Sequence, residues 1–177
     1  MKTNVKLLSS ITIIALISAS FASCNKEEIK KDKPQTKEEK VEVILKDYGN
    51  DPLVLNIEDY TKTNENFRTA LWTGSKLQVT LMSIPVGGDI GLEQHNGIDQ
   101  FLRIEEGEGK VMMGDSEDNL DFVKDISDDF VVIVPSGKWH NIKNTGDKPL
   151  KIYSIYSPVE HPMGTVHKTK ADDEGHH

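Results

Sequence analysis

Short runs in which apolar and polar residues alternate recur along the chain, with turn-forming residues between them. In the clearest run, residues 76–85, Leu77, Val79 and Leu81 fall on one face of an extended strand. Similar short runs lie at 41–45, 53–57, 110–113, 120–123, 130–134 and 151–156. With the strands around position 100, they predict about ten short strands, which is typical of a sandwich or barrel.

The pattern predicts a single all-β domain over residues 41–177, with its core motif at 76–157. In the strand after position 99, Gln100, Leu102 and Ile104 share one face. Residues 59–68 are polar and predict one helical turn at most, so no helix is expected beyond the first 23 residues. A domain of about 137 residues can bury a sufficient core without disulfides.

The first 23 residues differ from the rest of the chain. Lys2 and Lys6 precede an apolar run that is rich in serine and too short for a comfortable membrane span. Small residues then lead to Cys24, the only cysteine in the chain. The segment resembles a bacterial lipoprotein signal peptide, which implies that Cys24 is lipidated and becomes the mature N-terminus. The alternative is an ordinary signal cleaved nearby, which would leave a free thiol.

Residues 24–40 are predicted to form a flexible charged tether. Positions 25–40 hold six lysines and five acidic residues and almost no apolar residue, so they cannot form a core of their own. The residues directly after Cys24 resemble the surface-export signal of Bacteroidetes lipoproteins. These resemblances imply a lipid-anchored protein of the bacterial cell envelope, with the outer-membrane surface as one location. Which leaflet and face it occupies stays open.

Charge and cysteine content exclude several functions. The formal net charge of −8 and the pI near 5.2 argue against a nucleic-acid partner, because phosphate binding needs a clustered basic face. One cysteine rules out an intrachain disulfide. Because the apolar run near the N-terminus is too short for a comfortable membrane span, membrane contact is expected through the lipid anchor alone.

Two polar stretches carry the candidate chemistry. Glu93, His95 and Gln100 lie in the first, and Glu93 and His95 are two residues apart, so a strand would turn both to one face. His140 lies in the second, at 135–144. Two imidazoles, one carboxylate and one amide oxygen suit Fe(II), Mn(II), Ni(II) or Zn(II). The alternative is a polar cavity without metal that holds water or an organic anion.

The two stretches resemble the paired motifs of the cupin superfamily. The residues at the spacing of the first motif are Gly87, Glu93, His95, Gln100 and Gly107, and those at the spacing of the second are Pro135, Gly137, His140 and Asn144. Three positions depart from the pattern: Glu93 replaces a histidine, Gln100 replaces a glutamate, and Asp129 replaces the first glycine of the second motif.

This resemblance implies a double-stranded β-helix, or jelly-roll barrel, with Glu93, His95, Gln100 and His140 as metal ligands inside it. Similar small bacterial cupins are labelled mannose-6-phosphate isomerase-like, a label that serves here as an analogy of fold alone. Cupins with an open metal site catalyse dioxygenation or isomerisation of small polar molecules. The alternatives are a non-catalytic module that captures a sugar at the cell surface and a structural scaffold. The residues show no general base apart from the ligands.

The remaining histidines and aromatic residues are expected to be structural. His161 and His167 follow the last predicted strand, and we expect them at the surface or at an interface. A tail of this kind packs over the barrel or contacts a second subunit, so a homodimer stays open. Trp139 and Tyr156 are expected to pack in the core.

Overall fold

Ten β-strands form two antiparallel sheets in the structure, a computed structural model that describes residues 42–174. The strands are β1 (Arg68–Thr73), β2 (Gln78–Ile84), β3 (Glu93–Gln94), β4 (Asp99–Glu106), β5 (Glu108–Gly114), β6 (Phe122–Ser127), β7 (Val131–Val134), β8 (Trp139–Asn144), β9 (Leu150–Ser157) and β10 (Val166–His167). One sheet has the order β10-β1-β2-β9-β4-β7 and the other the order β3-β8-β5-β6. The predicted all-β double-stranded β-helix is confirmed.

A hydrophobic core lies between the two sheets. Met82, Leu102 and Ile152 come from the six-stranded sheet, and Val111 and Ile142 come from the four-stranded sheet. All five are almost completely buried. Burying a side chain of this size contributes roughly 1.5–3 kcal/mol, so this end of the barrel holds the sheets together.

The inner face of the six-stranded sheet becomes polar at its other end. The polar residues lie on the same face of β2, β4 and β9 as the core residues, at every second position. They are almost fully buried: Gln78, Thr80, Gln100, Ser154 and Tyr156. The strand register places Thr80 opposite Ser154 and Gln100 opposite Tyr156. The interior therefore has an apolar half that stabilises the fold and a polar half that can hold a ligand.

Two short helices were not expected from the sequence. Helix α1 (Ile57–Thr63) begins after Asn56, whose side chain accepts a hydrogen bond from the Glu58 amide. Its Tyr60 packs against Leu71 and Leu81 on the outer face of the six-stranded sheet. Helix α2 (Lys170–Glu174) ends the described part of the chain. The expectation of at most one helical turn was wrong because α1 depends on this tertiary contact.

The strands predicted at 41–45 and 53–57 are absent from the described residues 42–57. This segment has no strand pairing, and Val43, Leu45 and Leu55 pack against the outer cluster around Leu71. An extended segment that covers an apolar surface has the same alternating pattern as a strand, so the pattern alone cannot separate the two. Strands β1 and β10 were missed.

Left-handed backbone conformations explain the turn residues of the motifs. Gly107 has φ of +92°, and a Cβ atom there would lie 2.9 Å from the Pro149 carbonyl oxygen. Asp129, at the position of a motif glycine, has φ of +70° and is the one non-glycine residue with positive φ among residues 42–174. Aspartate tolerates this conformation better than most residues, so the turn is kept without glycine.

The predicted signal peptide, the predicted tether and Cys24 lie outside the described residues. Within the described range, no helix is both long enough and apolar enough to cross a membrane.

Candidate metal centre

Strand pairing brings three of the four predicted ligands together. Strands β3 and β8 pair antiparallel, with Glu93 directly opposite His140. His95 follows two residues after Glu93 and projects from the same face. The side chains of Glu93, His95 and His140 therefore meet at the polar end of the barrel interior, and this trio is called the triad below.

The distances within the triad suit a single ion. Glu93 Oε1 lies 3.5 Å from His95 Nε2 and 3.3 Å from His140 Nε2. Ligand atoms about 2.1 Å from one ion are roughly 3.0–3.4 Å apart at octahedral or tetrahedral angles. One ligand atom from each residue falls within 4.8 Å of the others. The two imidazole rings are tilted by 57° with centroids 5.3 Å apart, so the two Nε2 atoms converge without stacking.

Hydrogen bonds on the far side of each imidazole fix the atom that faces the centre. The Nδ1 atom of His140 lies 3.0 Å from the Lys138 carbonyl oxygen, and that of His95 lies 3.1 Å from Glu160 Oε1. Both Nδ1 atoms therefore donate, which leaves the Nε2 lone pairs for a ligand. Neither Nε2 atom has a hydrogen-bond partner among the described residues, although both are buried. Such atoms fit a metal ion.

Gln100, the predicted fourth ligand, lies on β4 opposite Tyr156, whose ring contacts His95. Its Nε2 atom donates a 3.0 Å hydrogen bond to Ser154 Oγ, whereas its Oε1 atom is buried with no partner in the described part of the chain. An amide that binds a metal does so through oxygen. The orientation is consistent with the role, and Gln100 stays a prediction as a ligand.

The carboxylates around the triad favour a bound cation. Burial would raise the pKa of Glu93, but the imidazoles of His140 and His95 beside it hold that pKa well below its usual range. Burial would also lower the pKa of His95, yet the carboxylates of Glu160 and Glu93 raise it to about 9. Without a metal, the imidazolium of His95 is thus the counter-ion of two carboxylates, and a divalent ion would displace its proton.

A buried ion pair connects the centre to the C-terminal helix. Arg68 is completely buried, and its Nε and Nη2 atoms donate to the two carboxylate oxygens of Asp173 at 3.1 and 3.0 Å. Its Nη1 atom donates to Tyr156 Oη at 2.8 Å. With Glu93 and Glu160, this network carries three carboxylates and one guanidinium, a formal charge of −2. One divalent ion would neutralise it.

Two histidines expected at the surface are buried. Gln78 holds the backbone of His161 through two 2.9 Å hydrogen bonds, and the His161 ring packs edge-on against Tyr156 at 5.1 Å. His167 Nδ1 lies 2.6 Å from Asp173 Oδ1. The expectation was wrong because the tail packs into the polar end of the barrel. Tyr156, expected only as core, also edges His95 at 5.7 Å.

Two surface cavities of residues 42–174 lie away from the triad. One of about 580 Å³ is open and apolar, with Val54, Leu55 and Trp72 among its lining residues. Another of about 460 Å³ lies near Phe67 and Lys151. Neither is lined by a member of the triad.

Comparisons with known proteins agree with this architecture. Residues 80–156 match the family described as "Cupin domain". The chain is 60% identical over 130 residues to the uncharacterized protein YrkC of Bacillus subtilis, covering 73% of this chain and 70% of that one. It is 33% identical over 118 residues to the uncharacterized protein L612 of Acanthamoeba polyphaga mimivirus, covering 66% and 72%.

A solved structure has a similar fold. The crystal structure of BH2720 from Bacillus halodurans is similar with a TM-score of 0.73 and 59% sequence identity, and the match covers 73% of this chain and 98% of that one. The names of these three proteins state no activity.

Proposed function

Because this chain belongs to the cupin superfamily, we propose that its barrel binds one divalent transition-metal ion through the triad of Glu93, His95 and His140. Gln100 is the proposed fourth ligand. The observation that carries the proposal is the pair of buried, unpartnered Nε2 atoms at 3.3 and 3.5 Å from one carboxylate oxygen. Two histidines and one carboxylate favour Fe(II) and also suit Mn(II), Ni(II) or Zn(II).

The proposed activity is dioxygenation or isomerisation of a small polar molecule. A bound divalent ion would supply Lewis-acid or redox chemistry at the positions that the protein ligands leave open. The chain's own residues orient and shield the site: Glu160 and the Lys138 carbonyl fix the two imidazoles, and Glu93 supplies the negative charge. The polar half of the barrel interior supports binding of a polar molecule beside the ion.

Elemental analysis of protein purified without chelator tests the metal site. We expect about one transition-metal ion per chain, and an isosteric Glu93→Gln substitution should remove it. Glu108→Gln, on the exposed side of β5, is the matched control and should retain the metal. Wild-type protein with no metal, and with a melting temperature that ignores added Mn(II), Fe(II), Ni(II) and Zn(II), would refute the proposal.

Turnover assays then test the activity. A panel of sugars, phenols and diketones should include a substrate of the metal-loaded protein. If the protein binds such a molecule and never converts it, the barrel is a binding module and the enzymatic part of the proposal fails.

We also propose that the protein is exported and anchored to the cell envelope by a lipid on Cys24. The support is the sequence alone: a basic start, a short apolar run and the single cysteine directly after small residues. A tether carrying six lysines and five acidic residues would hold the barrel away from the membrane.

A further inference from the structure

Two polar atoms inside the barrel, besides the triad and Gln100, are buried without a partner. These are Thr80 Oγ1 on β2 and Nε2 of His161, and neither has a hydrogen bond to any described residue. Thr80 is fully buried and His161 is 7% exposed. A buried polar group without a partner costs free energy, so both atoms are expected to bond to water or to a ligand.

The surroundings of His161 hold it in one place. Gln78, two residues before Thr80 on the same strand, bonds to both the amide and the carbonyl of His161. The His161 ring rests on Tyr156, and Tyr156 in turn packs against His95 of the triad. A series of contacts thus leads from the triad through Tyr156 to His161, and Thr80 lies on the same inner face of the sheet as Gln78 and Tyr156.

Among residues 42–174, no buried lysine or arginine is available to pair with a ligand in this interior. Arg68 and Lys151 are the buried basic residues among positions 42–174, apart from histidines. The guanidinium of Arg68 is already used by Asp173 and Tyr156. Lys151 alternates with the core residue Ile152, so it points to the outer face, where its ammonium donates to the Asn64 carbonyl.

Charge therefore selects the ligand. With a divalent ion bound, the network of Glu93, Glu160, Asp173 and Arg68 has no net formal charge. A phosphate monoester or dicarboxylate would add about two negative charges to a buried site that has no cation to pair with them, which is costly. An uncharged hydroxyl or carbonyl group adds none and can bond to Thr80 and His161.

We propose that Thr80 and His161 form a subsite for an uncharged oxygen substituent of the molecule bound at the metal. The substrate class is then a neutral hydroxyl- or carbonyl-bearing compound, and phosphorylated sugars and dicarboxylates are disfavoured. This inference rests on the proposed metal site, since the neutral charge balance requires the ion.

Cobalt-loaded full-length protein tests the subsite, because the visible bands of Co(II) respond to a molecule entering its coordination sphere. The probes are two matched pairs: dihydroxyacetone with dihydroxyacetone phosphate, and glycerol with glycerol 3-phosphate. At least one neutral probe should shift the bands, and its phosphate ester should bind at least about tenfold more weakly, equal to about 1.4 kcal/mol. Thr80→Val and His161→Phe should each weaken the neutral probe about tenfold while keeping one cobalt per chain.

A stability measurement separates a ligand subsite from a structural role. Valine is nearly isosteric with threonine, and it removes a hydroxyl that has no hydrogen-bond partner among residues 42–174. Metal-free Thr80→Val should therefore melt at the same temperature as wild type or higher. Thr145→Val, on the exposed end of the β8–β9 turn, is the matched control and should bind the probes like wild type.

Several outcomes overturn the subsite. These are a phosphate ester that binds as tightly as its neutral partner, no response to either neutral probe, wild-type probe affinity in both variants, or a clearly lower melting temperature for Thr80→Val. Failure to take up cobalt would refute the proposed function and the subsite with it. Uptake of cobalt together with any of the preceding results would refute the subsite alone.

Discussion

The buried ion pair between Arg68 and Asp173 gives the sharpest stability prediction. The two residues are 105 positions apart, and their side chains are 0% and 6% exposed. Asp173→Asn keeps the shape of the side chain but leaves the guanidinium without its counter-charge. Breaking a buried pair by removing one partner costs about 3–5 kcal/mol. A domain of this size unfolds with an entropy of about 0.3 kcal/mol/K, so the melting temperature should fall by roughly 10–17 °C.

Urea denaturation of metal-free protein measures the loss, with exposed Asp118→Asn as the control expected to stay within about 0.5 kcal/mol of wild type. Arg68→Met removes the other charge. In the double variant neither charge is left unpaired, so its loss should be smaller than the sum of the single losses by about 2–3 kcal/mol. A loss below about 1 kcal/mol for Asp173→Asn, or additive single losses, would refute the reasoning.

Further predictions concern the metal, the pH and the membrane. His140→Ala should abolish stoichiometric metal binding and the stabilisation by added metal. For wild type this stabilisation is about 2.7 kcal/mol at an ion concentration 100-fold above Kd. Gln100→Glu adds a second carboxylate and should tighten divalent binding, measured by competition with a chelator dye. Burial and nearby Arg68 lower the pKa of His161 to about 3. Below pH of about 6.5 the unfolded chain gains a proton that the folded chain does not, so stability should fall toward pH 3, and less steeply in His161→Phe. Cys24→Ala should lose fatty-acid labelling and membrane partitioning.

Each of these has a distinct contrary result. Full metal content in the His140 variant would remove that residue from the site, and weaker binding in the Gln100 variant would exclude the amide as a ligand. Parallel stability curves for wild type and the His161 variant would show that this imidazole titrates normally. Unchanged fractionation of the Cys24 variant would end the lipid-anchor proposal.

Much of the fold could be predicted because its determinants are local. Alternation at Leu77, Val79 and Leu81 marked β2, and the turn at Gly107 needs a backbone conformation that few other residues adopt. The local pattern at 42–57 gave a wrong strand prediction. Its alternation reflects packing on a sheet and not strand pairing. Helix α1 was missed because its stability comes from contact with that sheet.

The candidate site divides in the same way. Spacing alone placed Glu93 beside His95, and the motif added His140. The Arg68–Asp173 pair and the Gln78–His161 contact join residues more than 80 positions apart, and no periodicity encodes such pairing. One sequence signal could have indicated the ion pair. Arg68 is a charged residue at the start of the apolar run that forms β1, and a charge buried in a strand needs a partner.

The place of β9 in the six-stranded sheet has a consequence for folding. This strand lies between β2 and β4, so the two halves of the sheet cannot join until residues 150–157 are available. The pairing of β9 with β2 and β4 joins residues far apart in sequence. Forming such contacts loses chain entropy before the contacts stabilise the fold, so folding is expected to be slow and cooperative. Gln100 on β4 belongs to this sheet, whereas the β3–β8 pair that forms the triad belongs to the other, so all four proposed ligands meet only when the two sheets close on each other. Binding of an ion by all four ligands is therefore expected late in folding.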